Sequence, residues 1–243
     1  MKMKLRKQIK LNAKRCLCNN WGKAVSIVLL TSAIYLLFVI IEMIANLLLQ
    51  LPASSASAQE LSSAWMLSYL LTVLMAIGSF ILLVPLHLGI TAWYHSLSEG
   101  ISDDILSIFG FFANRKMFFR SLWLSINTGV RAILYAVLYL ILPTAGILFS
   151  VRLLNSPLSS GAFVGSMTLV FSIALFVLLL CFLLIRLQRY FLAQYYLLDQ
   201  ETSVRKAIRA SIHASRGICD EIFAFKLSFL PWGIASILVL PLL

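Results

Sequence analysis

The stretch FVGSMTLVFSIALFVLLLCFLLI, from Phe163 to Ile185, runs for 23 residues without a charged side chain. A helix of that length extends about 34 Å, at about 1.5 Å per residue, whereas the hydrocarbon core of a bilayer is about 30 Å thick. Because hydrocarbon offers no partners for backbone polar groups, a single apolar run of this kind satisfies them as a helix. The stretch therefore predicts a membrane-spanning helix.

The composition extends this prediction to the whole chain. Of the 243 residues, 61% are hydrophobic and only 12% are charged, against about 25% charged residues in soluble domains. We predict an all-α fold, a multi-pass transmembrane helical bundle that forms one integral membrane domain over residues 1–243. About five spans are expected, with six as the alternative, and the five lie at about 24–51, 65–88, 121–149, 163–185 and 222–243.

The distribution of basic residues predicts the orientation. Eighteen of the twenty Lys and Arg residues fall within segments 1–23, 98–120 and 186–226, while Arg152 lies on the opposite side and Arg131 is undecided. Cytoplasmic loops carry an excess of Lys and Arg, so we expect a cytosolic N-terminus and an extracytoplasmic C-terminus. The same bias explains the net charge of +11 without a nucleic-acid partner.

Three cytosolic segments read as amphipathic interfacial helices: the basic segment 1–23 and helices at about 101–113 and 201–217. In the second, Ser102 is the expected N-cap, ahead of Asp103 and Asp104. In the third, Gly217 is the expected C-terminal stop. Basic segments of this kind are attracted to anionic membrane lipids. The candidate contacts to anionic head groups are Lys4, Lys7, Lys14, Arg15, Arg205, Arg209 and Arg216.

Ionisable side chains within the spans are candidates for function, because placing a charge in the bilayer is costly. The candidate intramembrane polar residues are Glu42, Arg131 and His87. Glu42 is either satisfied structurally or part of a transport pathway. The third span begins near Ala132, which leaves Arg131 at the interface, or near Leu122, which places Arg131 inside the bundle.

Four pieces of the chain resemble a known family. They are LNAKRCLCNNWGKAV (Leu11 to Val25), GITAWYHSLSEGISDDILSIFGFF (Gly89 to Phe112), YFLAQYYLLDQETSVRKAIRASIHASRG (Tyr190 to Gly217) and FKLSFLPWGI (Phe225 to Ile234). In this order, the pieces resemble the bacterial, mostly Firmicutes, integral membrane proteins catalogued as domain of unknown function 975. The resemblance implies a helical membrane fold in the bacterial plasma membrane, and it implies no activity.

Signatures of catalysis and of metal binding are missing from the sequence. No HExxH, GxSxG or Walker loop occurs, and the four cysteines and three histidines are scattered. We therefore predict no enzyme activity, no catalytic residue, no metal and no cofactor. The predicted function is that of a non-enzymatic accessory or scaffold protein that binds lipid, a membrane-protein partner or another copy of itself. The alternative is a small-solute or peptide transporter or exporter subunit that uses Glu42.

Overall fold

A computed structural model describes residues 2–48, 64–155, 159–198 and 202–231, and all regular structure in these ranges is helical. The predicted all-α fold is therefore confirmed. The helices are α1 (Lys2–Leu17), α2 (Trp21–Leu48), α3 (Ala64–Ser98), α4 (Gly110–Ala113), α5 (Arg115–Leu154), α6 (Ser159–Leu187), α7 (Ala193–Leu198), α8 (Val204–Ala214) and α9 (Cys219–Leu227), with 3-10 turns at Ile105–Phe109 and Gln188–Tyr190.

Four segments are long and apolar enough to cross a membrane, and they correspond to the first four predicted spans. They are Trp21–Leu47, Tyr69–Ser98, Arg115–Leu154 and Gly161–Leu198. The predicted fifth span, 222–243, lies mostly outside the described residues, so the choice between five and six spans stays a prediction. The helices also run further than the predicted spans: α5 has 40 residues, which makes it about 60 Å long and longer than a bilayer core is thick.

The chain forms two compact units, Met1–Leu122 and Trp123–Leu243. In the first unit, the buried core is formed by the start of α2, the second half of α3 and the 3-10 turn Ile105–Phe109. Its members are Ala24, Ile27, Leu86, Trp93, Leu97 and Ile108. Towards the other ends of the same two helices, large apolar side chains such as Leu47 and Met66 are exposed. Packing is thus concentrated beside the basic N-terminal segment, and the remaining apolar surface is of the kind that lipid covers.

A close backbone contact and two hydrogen bonds hold the segment after α3. Gly89 lies against the backbone of Ile108: a Cβ at position 89 would overlap the Ile108 carbonyl oxygen and lie 2.8 Å from its carbonyl carbon. The Asp103 carbonyl accepts hydrogen bonds from Lys23 Nζ at 3.2 Å and from Trp93 Nε1 at 3.3 Å. These contacts fix the 3-10 turn onto α2 and α3.

The predicted helix at 101–113 begins later than expected, and the prediction of Ser102 as its N-cap is wrong. Asp104 is the cap, because its Oδ1 accepts a hydrogen bond from the Ile105 amide at 2.7 Å. Helix α3 continues to Ser98 and ends in a turn at Gly100, which has a φ of +86°. Residues 101–104 are consequently not helical. They connect the end of α3 to the 3-10 turn Ile105–Phe109, which packs against α3.

In the second unit, α6 and the part of α5 that follows Leu122 form an antiparallel pair with small residues at the contact. Ser150 Oγ donates to Thr168 Oγ1 at 3.0 Å. One helical turn before Ser150 in α5, a Cβ at Gly146 would lie 2.6 Å from Ser172 Oγ in α6. Small side chains let helices approach closely in a membrane, where the hydrophobic effect does not drive their association. Ser150 thus lies opposite Thr168, and Gly146 lies opposite Ser172. These two pairs define an antiparallel register for this part of the two helices.

Candidate functional site

Helix α8 presents one face to the protein and the opposite face to the outside. Val204, Ala207 and Ile208 are buried, and α8 packs on α7 and on the 3-10 turn that follows α6. Arg205 and Arg209, two of the predicted lipid contacts, are exposed. The apolar face of α8 is therefore used for packing within the protein and is not free to insert into a leaflet as the sequence pattern suggested.

Two buried serines that the sequence analysis did not single out hold α8 in place. Ser211 Oγ donates to the Arg189 carbonyl at 2.6 Å, and Ser215 Oγ lies 3.4 Å from the same oxygen. Both serines have no exposed surface. Their spacing of four residues was the available signal, because it places both on one face of a helix. They satisfy a carbonyl that becomes available where the chain leaves α6.

The last predicted contact of this region, Arg216, follows α8 and is exposed. The neighbouring Gly217 has a φ of +80°, a left-handed conformation that glycine adopts without strain. Helix α8 stops at Ala214 with Ser215 as its C-cap, so the prediction that Gly217 ends the helix is wrong, and Gly217 lies in the turn that follows. Three arginines thus lie on the outside of one well-anchored element.

Helix α1 carries the other predicted lipid contacts. Lys7, Lys14 and Arg15 are exposed, while the side chain of Lys4 lies outside the described part of the structure. Helix α1 packs against α3, so this basic segment is attached to the first unit and is not an independent arm.

Glu42 lies on the side of α2 that faces α3. Its Oε1 accepts a hydrogen bond from Thr72 Oγ1 at 2.9 Å. One turn further along α2, the side-chain oxygen of Asn46 is buried and has no partner among the described residues. Glu42 was predictable from the sequence as an acid within an apolar run, whereas Thr72 is only one of many hydroxyls in the apolar segments. The result is a small oxygen-rich cluster within two apolar helices.

Arg131 lies next to the end of α6. Its Nε donates to Asn127 Oδ1 at 3.1 Å, and its guanidinium carbon lies 5.8 Å from the centre of the Tyr190 ring. Tyr190 lies four residues after Arg186, which ends the uncharged stretch of α6. This favours the alternative in which the third span begins near Ala132. The uncharged stretch from there to Arg152 has 20 residues, the length that crosses a bilayer core of about 30 Å.

His87 is not part of a group of metal-ligating side chains in the described ranges. Its side chain is exposed, and its backbone carbonyl accepts a hydrogen bond from Thr91 Oγ1 at 2.9 Å. Within the described ranges, no group of three His, Cys, Asp or Glu residues is arranged to hold a metal ion.

Comparison with known proteins adds no relative. No protein-family model, curated protein or solved structure matches the chain.

Proposed function

We propose that this protein is a non-enzymatic membrane scaffold or accessory protein, and that its basic surfaces bind anionic lipid head groups or a membrane-protein partner. The observation that carries the proposal is the arrangement of α8. Its apolar face is occupied by the protein itself, and Arg205 and Arg209 are exposed. An element of this kind acts on a membrane or a partner through charge, and each Lys or Arg near an anionic leaflet contributes about 1 kcal/mol.

The proposal includes an orientation and a location. The basic segments face the cytosol, the N-terminus is cytosolic and the C-terminus is extracytoplasmic, in a bacterial plasma membrane. The support is the concentration of eighteen of twenty Lys and Arg residues in segments 1–23, 98–120 and 186–226. Membership in the family catalogued as domain of unknown function 975 stays a prediction, as does self-association.

The first experiment is purification of the full chain into nanodiscs from its native cell, followed by mass spectrometry of the proteins and lipids that remain bound. The proposal predicts either a stoichiometric membrane-protein partner or an enrichment of anionic lipid over the bulk membrane. A protein that retains neither would refute it.

A matched pair of variants tests the role of α8. The triple change of Arg205, Arg209 and Arg216 to Gln should lower the preference for phosphatidylglycerol over phosphatidylcholine by up to about 100-fold, since three charges contribute about 3 kcal/mol. The same three changes to Lys keep the charge and should keep the preference. Equal lipid preference in the Gln and Lys variants would show that these arginines do not bind lipid.

A second candidate function is transport, and the cluster of Glu42, Thr72 and Asn46 favours it. An acid that is hydrogen-bonded within two spanning helices can bind a cation or a proton on a pathway through the membrane. Gln at position 42 can still accept the hydrogen bond from Thr72 but cannot ionise. In vesicles, Glu42→Gln should therefore abolish any solute flux and leave lipid or partner binding intact, whereas an unchanged flux would exclude Glu42 from the pathway.

A further inference from the structure

A polar cleft of about 380 Å³ lies in the first unit, between the turn that joins α1 to α2 and the end of α3. Arg15, Asn19 and Asn20 form one wall, and Glu99 and Gly100 form the other. The volume falls in the range of small-molecule sites, about 300–1,000 Å³. Neither the predicted lipid contacts of α8 nor the cluster around Glu42 belongs to this cleft.

The turn at Gly100 shapes the acidic wall. The Gly100 amide donates to the Leu97 carbonyl at 3.1 Å, and the Ile101 amide donates to the Ser96 carbonyl at 3.0 Å. This pair of bonds is the Schellman motif, and the left-handed residue that it requires is Gly100. The motif ends α3 sharply and leaves Glu99 at its last turn.

The two walls carry opposite charges. Glu99 lies at the C-terminal end of α3, where the helix dipole adds negative potential. Its Oε1 lies 3.5 Å from His95 Nδ1. The second carboxylate oxygen, Oε2, can accept a hydrogen bond from a ligand. On the other wall, Arg15 supplies a guanidinium, and the amides of Asn19 and Asn20 supply N–H donors. A ligand that fits both walls carries an anionic group and a cationic group a short distance apart.

The position of the cleft along the helix axis, relative to the apolar run of α2, indicates that a lipid supplies this ligand. The uncharged run of α2 begins at Ala24, directly after Lys23, and Asn20 precedes it by four residues, or about 6 Å of helix rise. The polar zone on each side of a bilayer core is about 5–7 Å thick. The cleft therefore lies at the level of the lipid head groups, provided that the helices span the membrane as the proposed function requires.

We propose that this cleft binds the ethanolamine phosphate head group of an amine-bearing phospholipid. Arg15 and the two asparagine amides bind the phosphate, and Glu99 accepts hydrogen bonds from the ammonium group. A choline head group has no N–H donor for Glu99, and among the described residues no aromatic side chain lines the cleft to stabilise a quaternary ammonium. A glycerol head group has no cation. The cleft thus selects phosphatidylethanolamine over phosphatidylcholine and phosphatidylglycerol.

Two neighbouring cysteines provide the assay in the unmodified full-length protein. Cys16 lines the cleft and Cys18 does not, and both thiols are exposed. We expect phosphatidylethanolamine in nanodiscs to slow the alkylation of Cys16 at least about five-fold, relative to phosphatidylcholine, with the alkylation rate of Cys18 unchanged. Equal rates at Cys16 in the two lipids would overturn the proposal.

Variants assign the two walls. Glu99→Gln should abolish the difference between the two lipids, whereas Arg15→Gln should weaken the binding of both, because both carry a phosphate. Asp220→Asn, which removes an exposed carboxylate from the second unit, is the control and should leave the lipid selectivity unchanged. Selectivity that persists in Glu99→Gln would contradict the assignment. Glu99 and Arg15 are exposed, so neither change removes packed side-chain volume.

Two further arms separate the possible ligands and the two proposals. Free ethanolamine phosphate should protect Cys16 only at concentrations far above those of the lipid; equal potency would identify a soluble ligand and refute the lipid source. Phosphatidylglycerol preference is measured in parallel on the same protein variants, in nanodiscs that contain phosphatidylglycerol. If Glu99→Gln removes selectivity for the amine lipid while phosphatidylglycerol binding persists, the cleft is confirmed independently of α8. If phosphatidylglycerol preference fails but Cys16 protection holds, only the anionic-lipid proposal is wrong.

Discussion

Replacing Gly89 with Ala should destabilise the first unit, because the glycine is required by a backbone contact and not by a turn. Gly89 lies within α3, where Ala is normally the better helix former by about 0.5–1 kcal/mol. At this position, however, the added Cβ would overlap the carbonyl oxygen of Ile108 and lie 2.8 Å from the carbonyl carbon. The atoms in the way are backbone atoms, which cannot rotate aside as a side chain can.

The size of the effect follows from comparison with a second glycine in the same helix. Overpacking of this kind costs about 1–3 kcal/mol. At Gly78, the same substitution would bring the Cβ 3.6 Å from Phe38 Cε1, an ordinary van der Waals contact. Gly78→Ala should therefore stabilise the helix by about 0.5–1 kcal/mol. At about 2–4 °C per kcal/mol for a chain of this size, the two variants should differ in Tm by at least about 3 °C.

Thermal unfolding of both variants in the same detergent, at one scan rate, measures this difference. Hydrogen exchange adds a local test, since only Gly89→Ala should speed the exchange of the amides in Ile105–Phe109 and α4. If both variants melt within 1 °C of each other (about the error of such a scan) and exchange alike, the close approach of Gly89 to Ile108 is not present and the reasoning is refuted.

Three further predictions concern the second unit. Gly146→Ala should destabilise the α5–α6 pair by about 1–3 kcal/mol, and a second change, Ser172→Gly, should restore Tm by removing the side chain that the new Cβ meets; a double variant no more stable than the single one would contradict this contact. Ser211→Ala removes the donor to a buried carbonyl and should cost about 1–3 kcal/mol, measured as a lower Tm, and a loss below about 0.5 kcal/mol would mean that the bond is absent. A cysteine at Arg131 should react with a membrane-impermeant maleimide applied from the cytosolic side. A cysteine at Leu142, an exposed residue near the middle of the uncharged stretch 132–151, should not react, and an absence of labelling at both positions would place Arg131 within the bilayer core.

The sequence was a good guide to the four helical segments that are long and apolar enough to cross a membrane, and a poor guide to where the helices end. Charge-free apolar runs predict helices in a membrane because the backbone has no other way to satisfy its polar groups. Helix ends depend on particular hydrogen bonds instead. Asp104, not Ser102, became the cap because Lys23 and Trp93 hold the Asp103 carbonyl, and these partners are distant in sequence.

For the candidate sites, too, the sequence identified some features and missed others. Exposed cations such as Arg205 and Arg209 could be named from helical periodicity alone, since a basic side chain on the polar face of a helix remains accessible. Periodicity does not identify what the apolar face packs against. Val204 and Ile208 fit a helix that lies on a leaflet equally well, and only the tertiary structure shows that this face of α8 packs on α7 and that Ser211 bonds the Arg189 carbonyl.

By itself, the sequence determined the helical class, the four segments that are long and apolar enough to cross a membrane and the basic segments, because hydrophobicity, length and charge are properties of contiguous residues. The tertiary structure decided which groups share a site. Glu42 and Thr72 are thirty residues apart, and Arg15 and Glu99, on the two walls of one cleft, come from different helices. Their proximity depends on how α1, α2 and α3 pack, and packing is determined by the close approach at Gly89 and the buried side chains around Trp93, which no local pattern encodes.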